Sequence, residues 1–128
     1  MTFFESLVKP SWIPPDWAFP LAWSLLWALQ AAAGLVLIGS DRPGRVLAIG
    51  LLVAQFAAAV AWQSLVFGPG RLTLAAWWLL AVLVLVTATV AAAARVSIVA
   101  AAMIAPTVAW MTVATALGFA LLRLNPGR

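Results

Sequence analysis

The chain has 128 residues, of which 66% are hydrophobic, and it carries seven basic and three acidic side chains. A soluble domain of this length leaves too much surface in water to hide so many apolar side chains, so the bilayer is the expected solvent. The basic residues stand singly at the ends of apolar blocks, where phospholipid headgroups suit them, and this pattern argues against nucleic-acid binding. Without cysteine or histidine, the chain forms no disulfide and offers no thiolate or imidazole to a metal.

Residues 1–15, called the entrance segment from here on, precede the first apolar block. The segment lacks the basic and apolar regions of a cleaved signal peptide, so we expect the first span to act as its own insertion signal. Its first eight residues either lie in the membrane interface, apolar side down, or fray. Pro14 and Pro15 predict a non-helical path, with the first helix beginning within a residue or two of Asp16.

Four apolar blocks follow, at about residues 16–39, 46–67, 72–94 and 98–122. Each is long enough to cross a bilayer as a helix, and none shows the alternating polarity of barrel strands. We therefore predict an all-α fold, a polytopic bundle of four transmembrane helices that forms one membrane domain over residues 1–128. The connections are short, which predicts antiparallel neighbours and both termini on one side. Basic residues divide four to three between the two sides, which favours neither orientation.

Three blocks carry a face on which tryptophan stands beside small or weakly polar residues. These faces are Trp23, Trp27, Gln30 and Gly34; Gln55, Ala59, Trp62 and Val66; and Thr107, Trp110, Ala114 and Leu117. If the faces converge, they line a slot for a planar apolar ligand. The alternative is ordinary packing, with tryptophans in interfacial belts. The belt interpretation is favoured for Trp12, Trp17, Trp77 and Trp78. For Trp23, Trp27, Trp62 and Trp110, the ligand slot and ordinary packing are equally favoured.

Two further patterns concern helix packing. Gly50, Ala54 and Ala58 form a ladder of small residues on the second block, a pattern that permits close approach of another helix. Pro20 and Pro106 fall inside predicted spans and predict kinks. No acid, base or metal ligand lies at depth in the last three blocks, so we expect a binding protein, not an enzyme or an ion-coupled pump.

The stretch KPSWIPPDWAFPLAWSLLW closely resembles the signature of the TspO/MBR family, the tryptophan-rich sensory and translocator proteins. The matching positions are Lys9, Pro10, Trp12, Pro14, Pro15, Trp17, Phe19 and Trp23, then Trp62 and Phe67, and finally Pro106, Trp110, Thr112, Thr115, Leu117, Phe119, Arg123 and Asn125. The chain departs from the family at four polar positions. Trp27 and Thr107 replace tyrosines, and Ala59 and Gly118 replace asparagines. Phe119 stands where the family's cholesterol pattern needs a tyrosine before Arg123.

The resemblance implies four helices equivalent to helices 2–5 of a five-helix fold, with the entrance segment as the loop before them. It implies a non-covalent ligand such as a tetrapyrrole (porphyrin or haem) or a sterol, no covalent cofactor, and a sensory or transport-related role. Trp12 and Trp17 would offer stacking faces in a lid above the ligand. A homodimer in a bacterial cell membrane is expected. The alternative is an accessory subunit of a larger membrane complex, in which a partner helix takes the place of the family's first helix.

Overall fold

The computed structural model describes residues 7–66 and 72–125, which form four helices. These are α1 (Ala18–Ile38), α2 (Arg45–Val66), α3 (Leu72–Ala94) and α4 (Ile98–Leu124). Each is long and apolar enough to cross a membrane. The predicted all-α membrane fold is confirmed, and the protein is a multi-pass integral membrane protein.

Local sequence explains where α1 begins. The helix starts at Ala18, two residues after Asp16, as predicted from the prolines before it. Pro20 stands in the first turn of α1, where a backbone N–H has no partner within the helix in any case. Pro20 therefore removes no hydrogen bond from within α1 and gives no reason to expect a kink there. Pro106, in contrast, lies in the interior of α4.

The turn between α1 and α2 and the turn between α3 and α4 lie at the same end of the bundle. Side chains as well as backbone stabilise both turns. Gly44 has a φ of +92° between α1 and α2, a conformation that favours glycine. Arg45 donates to the carbonyl oxygen of Ile38 at 3.0 Å, which satisfies the last carbonyl of α1, and to that of Ser40 in the turn at 2.8 Å. Ser97 caps α4 by accepting from the backbone N–H of Ala100 at 3.3 Å.

The helices form a ring in which α4 packs against α1 and α3, and α3 packs against α2. The contact between α1 and α2 closes the ring. Among neighbouring helices, the α3–α4 contact is the largest and the α1–α2 contact is the smallest. Gly118 shows how close α3 and α4 come, because a Cβ there would lie 2.9 Å from Cδ1 of Leu79. The interior of α1 is a single stripe, made by Leu26, Gln30, Ala33 and Leu37. Most of its remaining surface is left for lipid.

Asn125 fastens the entrance segment to the end of α4. Its Oδ1 accepts from the N–H of Val8 at 2.8 Å, and its Nδ2 donates to the carbonyl oxygens of Val8 at 2.8 Å and Leu121 at 2.9 Å. Leu7 and Ile13 pack beside Leu72, Leu117 and Leu121. Both described chain ends therefore meet at one end of the bundle, as the antiparallel connections predicted. Most of the predicted interfacial turn of residues 1–8 lies outside the described residues.

Replacing Asn125 with alanine should release the entrance segment. The change removes both bonds to Val8, each of which contributes about 1 kcal/mol, so hydrogen exchange at the Val8 amide should quicken by about tenfold or more. Thr112→Ala is the matched control, since the exposed Thr112 hydroxyl donates within α4, to the carbonyl oxygen of Val108. Unchanged exchange at Val8 in Asn125→Ala would show that other contacts hold the segment.

Candidate functional site

A cavity of about 340 Å³ lies among all four helices, at the end where the described chain ends meet. Its lining is almost wholly apolar, and every helix contributes to it. The lining residues are Asp16, Phe19, Trp23, Trp62, Leu72, Ala75, Ala76, Leu79, Trp110, Ala114, Leu117, Gly118 and Leu121. The volume falls within the range of about 300–1,000 Å³ that is typical of small-molecule sites.

Three tryptophans form the aromatic walls of the cavity. Trp23 comes from α1, Trp62 from α2 and Trp110 from α4. Phe19 meets Trp110 edge to face, with ring centroids 5.7 Å apart and an interplanar angle of 72°. The indole nitrogen of Trp110 is buried and has no hydrogen-bond partner among the described residues. The site therefore combines flat apolar faces with a buried donor that the described part of the protein does not satisfy.

The wall formed by Trp62 is fixed by hydrogen bonds that run both ways between α2 and α3. The indole N–H of Trp62 donates to the carbonyl oxygen of Ala75 at 3.1 Å, and that of Trp78 donates to the carbonyl oxygen of Ala58 at 2.7 Å. Both rings thus satisfy their polar atom inside the bundle. The prediction that Trp78 belongs to an interfacial belt is wrong, because its ring packs against the core between two helices. Trp77 is 57% exposed, which agrees with the belt interpretation.

Small residues of α3 and α4 leave the space that the tryptophans surround. Ala75 and Ala76 face the cavity from α3, and Ala114 and Gly118 face it from α4. Larger side chains at these positions would fill the cavity. The small residues thus let α3 and α4 pack closely against each other and also leave space for the cavity.

A buried polar triad lies deeper in the bundle than the cavity. The Nε2 of Gln55 donates to Oε1 of Gln30 at 2.6 Å and to the carbonyl oxygen of Leu52 at 2.9 Å. The Nε2 of Gln30 in turn donates to Oγ1 of Thr107 at 3.0 Å. The triad joins α1, α2 and α4, so the three faces identified from sequence do converge. Thr107 belongs to this triad and is not among the residues that line the cavity.

The structure separates the other predicted ligand-binding residues from the cavity. Trp27 packs between Trp23 and Phe56, with centroid distances of 5.8 Å and 5.4 Å, and does not line the cavity. Trp12 and Trp17 are 50% and 67% exposed and also stand outside the lining. Their role as stacking faces of a lid stays a prediction.

The first two residues of the small-residue ladder of α2 face away from the neighbouring helices. Gly50 and Ala54 are exposed and Ala58 is half-buried. A Cβ placed on Gly50 would meet no atom within 4 Å. Contact of this ladder with another helix stays a prediction as well.

Sequence reasoning missed several residues of the cavity. Phe19 precedes Trp23 by four positions and Asp16 precedes it by seven, so extending the helical stripe of α1 backwards would have found both. The lining residues of α3, such as Ala75 and Leu79, carry no comparable signal because they resemble any packed leucine and alanine.

Four apolar helices around an aromatic cavity define a polytopic helical membrane protein with an internal site of ligand size. The chain belongs to the TspO/MBR family, whose profile matches residues 1–124. It is 36% identical to protein CrtK of Rhodobacter capsulatus over 127 residues, which cover 98% of the chain and 79% of that relative. It is 32% identical to the tryptophan-rich protein TspO of Chlorobaculum tepidum, with 97% and 80% covered. The human translocator protein is 30% identical, with 99% and 77% covered.

Replacing Gln55 with leucine should destabilise the bundle by about 1–2 kcal/mol, because Oε1 of the buried Gln30 loses its donor. The double variant Gln30→Leu/Gln55→Leu should lose less than the sum of the single changes, since that unpaired oxygen is gone. Unfolding in detergent measures both effects. Thr87→Val is the control, because the exposed Thr87 hydroxyl donates within its own helix, to the carbonyl oxygen of Leu83. A Gln55→Leu variant as stable as this control would contradict the triad's role.

Proposed function

We propose that the protein binds a flat, largely apolar ligand, such as a tetrapyrrole or a sterol, in the cavity between its four helices. The observation that carries the proposal is the convergence of Trp23, Trp62 and Trp110 around about 340 Å³ of apolar space. Aromatic faces of this kind attract planar rings through stacking and edge contacts. Tryptophan also loses little conformational freedom when a ligand arrives, since only two side-chain angles are fixed.

Binding in this cavity would rest on contact and shape. The chain has no histidine or cysteine, so the iron of a bound haem would receive neither imidazole nor thiolate from this chain. Stacking on the tryptophans and burial against leucine and alanine would supply the affinity. The buried N–H of Trp110 lacks a partner among the described residues and is a candidate donor to a ring nitrogen or oxygen of the ligand.

The relatives support a sensory or transport-related role. One of them, from Cereibacter sphaeroides, is named a tryptophan-rich sensory protein and is 33% identical over 126 residues. Others are named translocator proteins. A ligand-occupied bundle would report the ligand to the membrane or pass it on, without covalent chemistry. The cavity favours ligand binding over the alternative of an accessory subunit.

Removing one aromatic wall should weaken ligand binding without unfolding the bundle. Trp23→Leu and Trp110→Leu each remove a stacking face worth about 0.5–1.5 kcal/mol, so the affinity for protoporphyrin should fall about two- to tenfold. The absorbance of the porphyrin is the suitable signal, because each substitution itself changes the protein fluorescence.

Trp77→Leu is the matched control for these two variants. Trp77 is exposed and meets Phe119 on the surface of the bundle, with centroids 5.2 Å apart. Its loss should leave the affinity unchanged. Equal affinity in all three variants and the unaltered protein would remove the cavity as the binding site.

A further inference from the structure

Among the described residues that line the cavity, Asp16 carries the one charged side chain. It stands two residues before α1, at the end of the bundle where the described chain ends meet. The carboxylate makes no hydrogen bond or ion pair with any residue in the described ranges, and Trp17, not Asp16, occupies the N-cap position of α1. The acid is favoured by the positive end of α1, and no described side chain pairs with its carboxylate beside the cavity.

The carboxylate of Asp16 favours some ligand groups and disfavours others. An ionised carboxylate only accepts hydrogen bonds, and it repels another negative charge. Phe19 and Trp23 follow it along the same wall and provide apolar surface. A ligand that fills the cavity thus meets aromatic and aliphatic contacts along its body and a negative acceptor at one end.

We propose that Asp16 determines which polar group the ligand carries at that end. The site favours a flat apolar molecule with a hydrogen-bond donor or a positive charge facing Asp16, and it discriminates against a carboxylate there. This inference rests on the proposed function, since it assigns the class of ligand for the same cavity. Asp16 is exposed as well as lining the cavity, so water screens the effect and the discrimination is modest.

Lys9 and Arg123 lie at the same end of the bundle, and neither lines the cavity. Their positive charges attract any anion to this end in general. A substitution at Asp16 leaves both of them in place, so the change it produces isolates the acid itself.

The test compares three probes that share one ring: protoporphyrin with its two carboxylates, its uncharged dimethyl ester, and a derivative with ammonium groups in their place. The protein variants are Asp16→Asn and, as the matched control, Asp41→Asn. Asp41 is an exposed acid in the turn between α1 and α2, at the opposite end of the bundle. Affinities are taken as ratios between variants in one detergent, which cancels the partitioning of each probe.

Asp16→Asn should tighten binding of the dicarboxylate about two- to fivefold, weaken the ammonium probe by a similar factor, and leave the ester unchanged. Asp41→Asn should change none of the three. Ratios unaffected by Asp16→Asn, or moved equally by Asp41→Asn, would overturn the role of Asp16 while porphyrin binding itself stands. If no probe binds the unaltered protein, the proposed function fails and this inference fails with it.

Discussion

The hydrogen bond from Gln55 to Gln30 is the interaction on which the cavity depends. Lipid is as apolar as the helices, so hydrophobicity does little to hold α1 in place, and packing and hydrogen bonds must do so. The α1–α2 contact is the smallest between neighbouring helices of the ring, and this bond of 2.6 Å crosses it. Through Thr107 the same triad reaches α4. Helix α1 also carries Phe19 and Trp23. The hydrogen bond at Gln30 therefore positions one aromatic wall of the cavity, although the two are helical turns apart along α1.

The opposite side of the cavity is held by a different device. Trp62 and Trp78 exchange hydrogen bonds across the α2–α3 contact, and small residues such as Gly118 let α3 and α4 approach closely. Rigid packing there contrasts with the polar linkage of α1. Asn125 then fastens the entrance segment at the end of the bundle that holds the cavity. The cavity is thus positioned by the close packing of α2 with α3 and of α3 with α4, by the polar triad, and by the entrance segment that Asn125 holds. Together these contacts give a largely apolar chain a cavity of defined shape.

Sequence predicted the helices well because span length and turn residues are local signals. Helical spacing also predicted Trp23, Trp62 and Trp110 as site residues, and all three line the cavity. Periodicity states which residues share a helix face, but not at what depth two helices meet. It therefore does not separate Thr107, which belongs to the polar triad, from Trp110, which lines the cavity. It also assigns no neighbour to a tryptophan near a helix end. The position of Trp78 in the sequence predicts an interfacial belt, whereas its indole N–H donates to the carbonyl oxygen of Ala58 in α2. The lining from α3 was unreadable, because alanine and leucine look alike in a wall and in a packed core.

The most direct test of the account is the protection of a single cysteine by ligand. The chain has no native cysteine, so Ala114→Cys and Ala116→Cys each create a unique thiol on α4. Ala114 lines the cavity, whereas Ala116 is exposed on the outer face of the same helix. Protoporphyrin should slow alkylation by a small uncharged reagent at position 114 and leave position 116 unaffected. Equal protection at both positions, or none at position 114, would contradict a ligand site inside the four-helix ring.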